Sequence, residues 1–323
     1  MSTFTNDVEY LANKYLVEGL LERVPLLGTH IREYKRLRNL IGACGREPGH
    51  FYSPIPSRQE IIADAERIFS DTAPLDVELN TTEQFSLLET LRKFHDELPY
   101  DFINNKENPD LRYKWIKGCQ YRYSDVVFLY SVMRYLRPKR IVEVGSGSSS
   151  AVMLDINDLY FDSSIKMTFI EPYPGGLFRF LSQKDNATIK LFETKVQNVP
   201  LDPFLALEEN DILFIDSSHV TKTGSDVNHI IFEVLRRLQK GVWIHFHDIF
   251  FPFELPRHWI LKYKRFWTES YLLRAFLMNN DAYEIKLFNT FLQKRFRNWF
   301  EKEMPECLLG EEPTGSIWIS KKR

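Results

Sequence analysis

A chain of 323 residues that is 44% hydrophobic and 14% aromatic can build one large α/β domain with a smaller appendage. With 42 basic and 44 acidic side chains its formal net charge is −2, which gives no electrostatic case for nucleic acid or a membrane surface as partner. Cys44, Cys119 and Cys307 are scattered without metal-ligand spacing, no apolar run approaches the roughly 20 residues of a bilayer span, and no basic-then-apolar leader opens the chain. The expectation is a soluble, cytoplasmic protein.

Residues 1–110 read as a helical region without strand alternation, suited to capping a cleft or pairing subunits into a homo-oligomer. Helices are expected at 6–21 and, basic and amphipathic, at 29–44. Two prolines impose extended geometry on the loop His50-Phe-Tyr-Ser-Pro-Ile-Pro56. Ser57-Arg-Gln-Glu60 and Thr81-Thr-Glu-Gln84 are capping boxes, opening helices to about 70 and 98. A second domain occupies 111–323. Ser124 is the expected N-cap of a helix over 124–136, and Pro138 ends the connection to the first strand.

From there strands and helices alternate. Strands are expected near 139–144, 166–171, 188–194, 211–217 and 241–247, with helices near 148–157, 175–183, 201–208, 226–238 and 268–278. Asp226 is expected to cap the fourth of these helices. Two further strands, 283–289 and 316–320, flank a helical segment over 291–303. This order implies a parallel sheet covered on both faces, with ligands bound beyond the carboxyl ends of the strands.

Those ends carry the chemistry. The first strand, with β-branched Ile141, Val142 and Val144, breaks at Gly145-Ser146-Gly147, and helical spacing resumes at Ser148. A strand, a tight glycine turn and a helix let a ligand approach the backbone closely. The second strand ends at Glu171, where a carboxylate can accept from both hydroxyls of a ribose. Gln197 follows the third strand. The fourth ends in Asp216-Ser-Ser-His219 and the fifth in His245-Phe-His-Asp248, which sets two carboxylates and several imidazoles on one rim. Neighbouring carboxylates are costly without a cation between them. A divalent metal held by Asp216, His247 and Asp248 is the natural candidate, magnesium if oxygen ligands dominate and a transition metal if the imidazole binds. His219 is the candidate general base, or else a histidine that holds its loop. The aromatic stretch 250–259 is suited to a substrate wall or lid.

The run Glu143-Val-Gly145-Ser146-Gly147, with Ser150 where a dinucleotide fingerprint has its third glycine, resembles motif I of class I S-adenosylmethionine-dependent methyltransferases. An acidic residue before the turn suits a cationic methionine moiety, whereas it would repel a pyrophosphate. Asp216-Ser-Ser-His219, Lys222-Thr-Gly-Ser-Asp226, His245-Phe-His-Asp248 and the 50–56 loop are similar to a bacterial methyltransferase group of glycan and secondary-metabolite pathways. More distantly, Asp216 and Asp248 match the metal positions of macrocin-type and catechol O-methyltransferase-like enzymes. The chain departs from these at Ile249, where an Asn or Asp ligand stands in the pattern.

The resemblance implies a Rossmann-like, seven-stranded, mostly parallel sheet of order 3-2-1-4-5-7-6 with the last strand reversed. It implies S-adenosylmethionine as cofactor, held by Glu143, Gly145, Ser146, Gly147, Glu171 and Gln197, with Val196 as an apolar wall for the adenine. The expected reaction is O-methylation of a small-molecule or glycan acceptor, with Asp216 and His219 at the chemistry. The competing expectations are an NAD-dependent oxidoreductase and a non-catalytic cofactor-binding scaffold.

Overall fold

The computed structural model describes residues 29–36, 45–71, 76–116, 119, 121–310 and 314–323. The helix expected at 6–21, the second half of the 29–44 helix and Cys44 lie outside the described residues. The chain divides into two compact units after Ile68. In the first, 29–36 is helical, and the Ser57 hydroxyl accepts from the Glu60 amide at 3.3 Å to open the helix Arg58–Ala63.

The second unit is organised on one sheet. Its strands are β1 (Arg140–Val144), β2 (Lys166–Ile170), β3 (Ile189–Phe192), β4 (Ile212–Ile215), β5 (Trp243–His247), β6 (Tyr283–Phe288) and β7 (Ser316–Lys321). Their order is 3-2-1-4-5-7-6, with β7 antiparallel to β5 and to β6 and the other pairings parallel. The expected topology is therefore the observed one. β4 and β5 are buried along their whole length, the pattern of strands covered on both faces.

Residues 69–110, grouped by sequence with the N-terminal helices, pack within this unit. Helix α1 (Thr81–Leu91) runs against the edge strand β6. The Gln84 side chain, expected to close a capping box, is instead buried: it accepts from the Phe288 amide at 2.7 Å and donates to the Leu79 carbonyl. An unpaired strand edge left in the interior costs more than one helix cap returns, so the amide goes to the sheet.

Helix α2 (Ser124–Leu136) is apolar nearly all round and sits beneath α3 (Ser148–Tyr160). Val126, Val127, Phe128, Leu129, Val132 and Met133 are each fully buried, an upper-bound contribution on the order of 10 kcal/mol. This burial fixes the position of the helix N-terminus. Two helix expectations change. Over 175–183 only the short turns Leu177–Arg179 and Gln183–Ala187 form, since Gly175-Gly176 weakens a helix start and Ser182 bonds locally to Asp185. The helix at 226–237 forms but is capped by Ser225, which accepts from the Asn228 amide at 3.1 Å, leaving Asp226 for another task.

Candidate active site

Sheet register brings the strand ends to one level. Val144 pairs with Ile170 on β2 and Ile215 on β4, and Ile215 pairs with Phe246 on β5. The next residues, Gly145, Glu171, Asp216 and His247, therefore share a rim, with Asp248 one step beyond. The reversed β7 starts at this rim, with Ser316 opposite His247. Gly145 has φ +85°, and a Cβ there would stand 1.7 Å from the Asp216 carbonyl oxygen. Its glycine is needed first for the close approach of β1 and β4. At Gly147 a Cβ would meet nothing within 4 Å, so that backbone faces open space.

Two cavities meet here. One of about 340 Å³ lies against Gly145, Glu171, Val196, Gln197, Asp216 and Lys222. The Ser146 amide donates to Glu171 at 3.1 Å, and the Tyr173 amide donates to the other carboxylate oxygen at 2.8 Å. Gln197 donates to the Gly224 carbonyl at 2.7 Å, while its own carbonyl oxygen is buried without a partner. The Ser146 and Ser217 hydroxyls are also buried and unpartnered. Orphaned polar atoms beside a strand-end carboxylate fit a ligand bearing a ribose and a hydrogen-bonding base. Glu143 does not line the cavity. It lies fully buried beneath the first turn of α3, accepting from Ser149 at 2.6 Å and from Ser150, and burial pushes its carboxyl up to about 8.

The second cavity, of about 820 Å³, shares the Asp216–Ser218 wall with the first. At that wall His219 is gripped from both sides: Nδ1 is 2.8 Å from Glu269, and Nε2 is 3.2 Å from Asp216 and 3.8 Å from Asp248. Burial opposes charge on this imidazole, but the hydrogen bonds to Asp216 and Glu269 outweigh it and hold it well above its ordinary value. His219 and Asp248 both adopt positive φ, 59° and 55°, a conformation costing about 1 kcal/mol or more outside glycine. The loop is held there from helix α4 (Glu269–Leu277): the Thr268 and Glu269 amides donate to the His219 carbonyl at 2.9 and 3.1 Å. Asp226 secures the other side, accepting from the Ser218 amide at 2.9 Å and its hydroxyl at 2.5 Å.

The expected metal meets a different arrangement. The cation required between Asp216 and Asp248 is the His219 ring itself, so Asp216, His247 and Asp248 as placed do not fit a metal ion. Among the described residues no group of three or more His, Cys, Asp or Glu could hold one. Ile249, at the missing ligand position, is buried in the core. His247 does line the cavity; burial opposes its charge, but Asp248, Asp216 and Asp125 outweigh this and raise it. His245 stacks on Phe214 at 3.9 Å, and burial keeps it neutral.

Four cavity or ring-holding groups escaped the sequence reading. Asp125, delivered by the buried N-terminus of α2, is 2% exposed and pushed by burial up to about 7. One of its oxygens accepts from Ser316 at 3.3 Å and the other has no partner. In sequence it is an ordinary acidic residue in a first helical turn, as is Glu269. Arg122 and Arg265 line the same cavity and belong to no motif. Of the aromatic stretch 250–259, Trp259 reaches the cavity, whereas Phe250 and Phe253 are buried.

Comparison with known proteins gives the family. A family model described as a methyltransferase domain matches residues 142–249, from β1 to just past β5. An uncharacterized protein of Archaeoglobus fulgidus is 36% identical over 172 residues, which is 51% of this chain and 75% of that protein. Among solved structures, a Podospora anserina methyltransferase bound to S-adenosylhomocysteine is 14% identical over 83% of this chain and 98% of its own, with a TM-score of 0.40. An O-methyltransferase of Streptomyces achromogenes involved in tomaymycin synthesis is 12% identical over 80% and 96%, with a TM-score of 0.42. The chain belongs to the class I S-adenosylmethionine-dependent methyltransferases. S-adenosylmethionine is accordingly its methyl donor, and the nicotinamide alternative falls.

Proposed function

We propose that the protein methylates a hydroxyl oxygen of a small molecule or sugar. The observation that carries this reading is the Asp216–His219–Glu269 group at the wall shared by the two cavities. In this reading Glu171 receives the ribose, Gln197 and Val196 border the adenine, and Ser146, Gly147 and the first turn of α3 face the methionine moiety. Glu143 acts from beneath by fixing that turn. The acceptor occupies the larger cavity.

When bound, S-adenosylmethionine supplies a methyl group already electrophilic on a sulfonium, and the sulfur keeps the bonding pair as the new C–O bond forms. The chain holds the acceptor oxygen in line and excludes water. Asp216, protonated His219 and Glu269 together carry one net negative charge; the hydroxyl proton released on transfer neutralises it. His219 thus works with Asp216 as one proton-accepting unit rather than as a lone base. Magnesium has no assigned step, because the imidazole fills the place between the carboxylates.

The test is isothermal titration with S-adenosylhomocysteine, followed by turnover of a sugar and hydroxylated-metabolite panel with and without EDTA. EDTA-insensitive methylation of an oxygen, lost in Asp216→Asn, is expected. Methyl transfer to nitrogen or carbon, or wild-type turnover by Asp216→Asn, would overturn the proposal. Cofactor binding with no turnover across the panel would favour the scaffold reading.

A further inference from the structure

We infer that the acceptor carries an oxyanion, a carboxylate or phosphate, and that Arg265 and Arg122, which line the acceptor cavity, receive it. The inference rests on the methyltransferase reading of the same cleft.

The Arg265 guanidinium is enclosed by aromatic rings, with its carbon 4.2 Å from the Trp259 centroid, 5.0 Å from Trp267 and 5.5 Å from Tyr263. All four residues line the acceptor cavity. Among the described residues no carboxylate pairs with Arg265. Arg122, on the same cavity, lies 5.2 Å over the Tyr123 ring and likewise has no carboxylate among them. Elsewhere in this unit Arg112 holds Asp158 and Asp185, Arg134 holds Glu97, and Arg140 holds Glu208 and Asp211. Arg137, Arg179 and Arg295 also lie over rings without a carboxylate partner among the described residues, so what sets Arg265 apart is its place in the cavity among three rings.

Stacking engages the faces of a guanidinium and fixes its plane, but leaves the edge, with its forked N–H donors, unsatisfied. A planar or tetrahedral oxyanion is the group that fits such a fork in bidentate fashion. The carboxylates on the cavity floor are already committed, Asp216 to His219 and Asp125 to Ser316. Asp248, 3.8 Å from His219, feels the Arg265 charge but makes no ion pair with it, so the guanidinium edge stays open to an anion. The cavity therefore takes an acceptor that offers an oxyanion to Arg265 and a neutral hydroxyl to Asp216–His219.

The probes are D-glucuronate and D-glucose 6-phosphate, with D-glucose as the neutral control, titrated into the full chain saturated with S-adenosylhomocysteine. Both anions are expected to bind about tenfold or more tighter than glucose. Arg265→Gln removes that preference, and Arg265→Lys restores little of it because a point charge lacks the stacked fork. Arg122→Gln weakens anion binding about threefold. S-adenosylhomocysteine affinity stays within about twofold in all three variants, since neither arginine borders the other cavity. Equal binding of glucose, failure of both anions to bind, or unchanged anion affinity in Arg265→Gln would each overturn the inference. If Arg265→Gln does not fold, unchanged anion affinity in both Arg265→Lys and Arg122→Gln overturns it instead. Failure of the wild type to bind S-adenosylhomocysteine is a distinct result, and removes the underlying reading of the cleft.

Discussion

Around Gly145 the cleft is made from backbone groups and near neighbours in sequence. The Ser146 amide meets Glu171 one strand away, and Ser149 and Ser150 reach Glu143 within a single strand–turn–helix unit. Around His219 it is made from side chains brought together over long separations, with Glu269 50 residues on, Asp248 just past the end of β5 and Asp125 far upstream on α2. The first half presents fixed dipoles and a few orphaned acceptors. The second presents five or more titratable groups sharing a few protons. On the proposed reading, a cofactor that never varies suits the rigid, locally encoded half, and acceptor chemistry the half where protons can move.

Each half can be broken separately. The largest effect is expected from His219→Asn, which removes the bridge between Asp216 and Glu269: turnover falls about 10²–10⁴-fold while S-adenosylhomocysteine affinity changes less than about threefold. Equal losses in both would mean that the halves are not separable. Next, Gly145→Ala forces a Cβ onto the Asp216 carbonyl at positive φ. Urea unfolding should show a loss of about 3 kcal/mol, with cofactor binding impaired as well; near-wild-type stability would mean that β1 and β4 can part without cost.

Glu171→Gln is expected to be milder. It leaves an acceptor for the Ser146 amide but removes the charge, so S-adenosylhomocysteine affinity drops about tenfold at unchanged saturated turnover. The last effect, at Glu143, shows only as pH is varied. Burial raises its carboxyl to about 8 from an unfolded value of 4.5, so the folded chain keeps a proton that the unfolded chain releases. Its contribution to stability is complete below about pH 4.5 and is lost as pH rises towards about 8. Glu143→Gln abolishes this titration, and its Tm relative to wild type should rise by roughly ten degrees from about pH 5 to about pH 9. A pH-independent difference would show that Glu143 is ionised in the native state.

The strands and the rim positions Gly145, Glu171, Asp216, His219, His247 and Asp248 were legible in the sequence, whereas the strand order came from the resemblance to class I methyltransferases. Buried parallel strands are continuous apolar runs, and the polar residue that ends each run is forced to the same rim by the sheet register. Local hydrogen bonding was less legible: Gln84 and Asp226 each leave the cap that their position suggested for a partner that only tertiary packing supplies. What the tertiary structure alone decided is the company each rim residue keeps. Asp216 and Asp248 read as a metal pair because their spacing demands a cation, but the sequence cannot say which cation. A left-handed turn at His219, held by the first amides of α4, swings the imidazole between them. Asp125, Arg122, Arg265 and Glu269 carry no motif, because their roles depend on which helix ends and loops the buried core presses against the rim, and that is a property of packing rather than of local pattern.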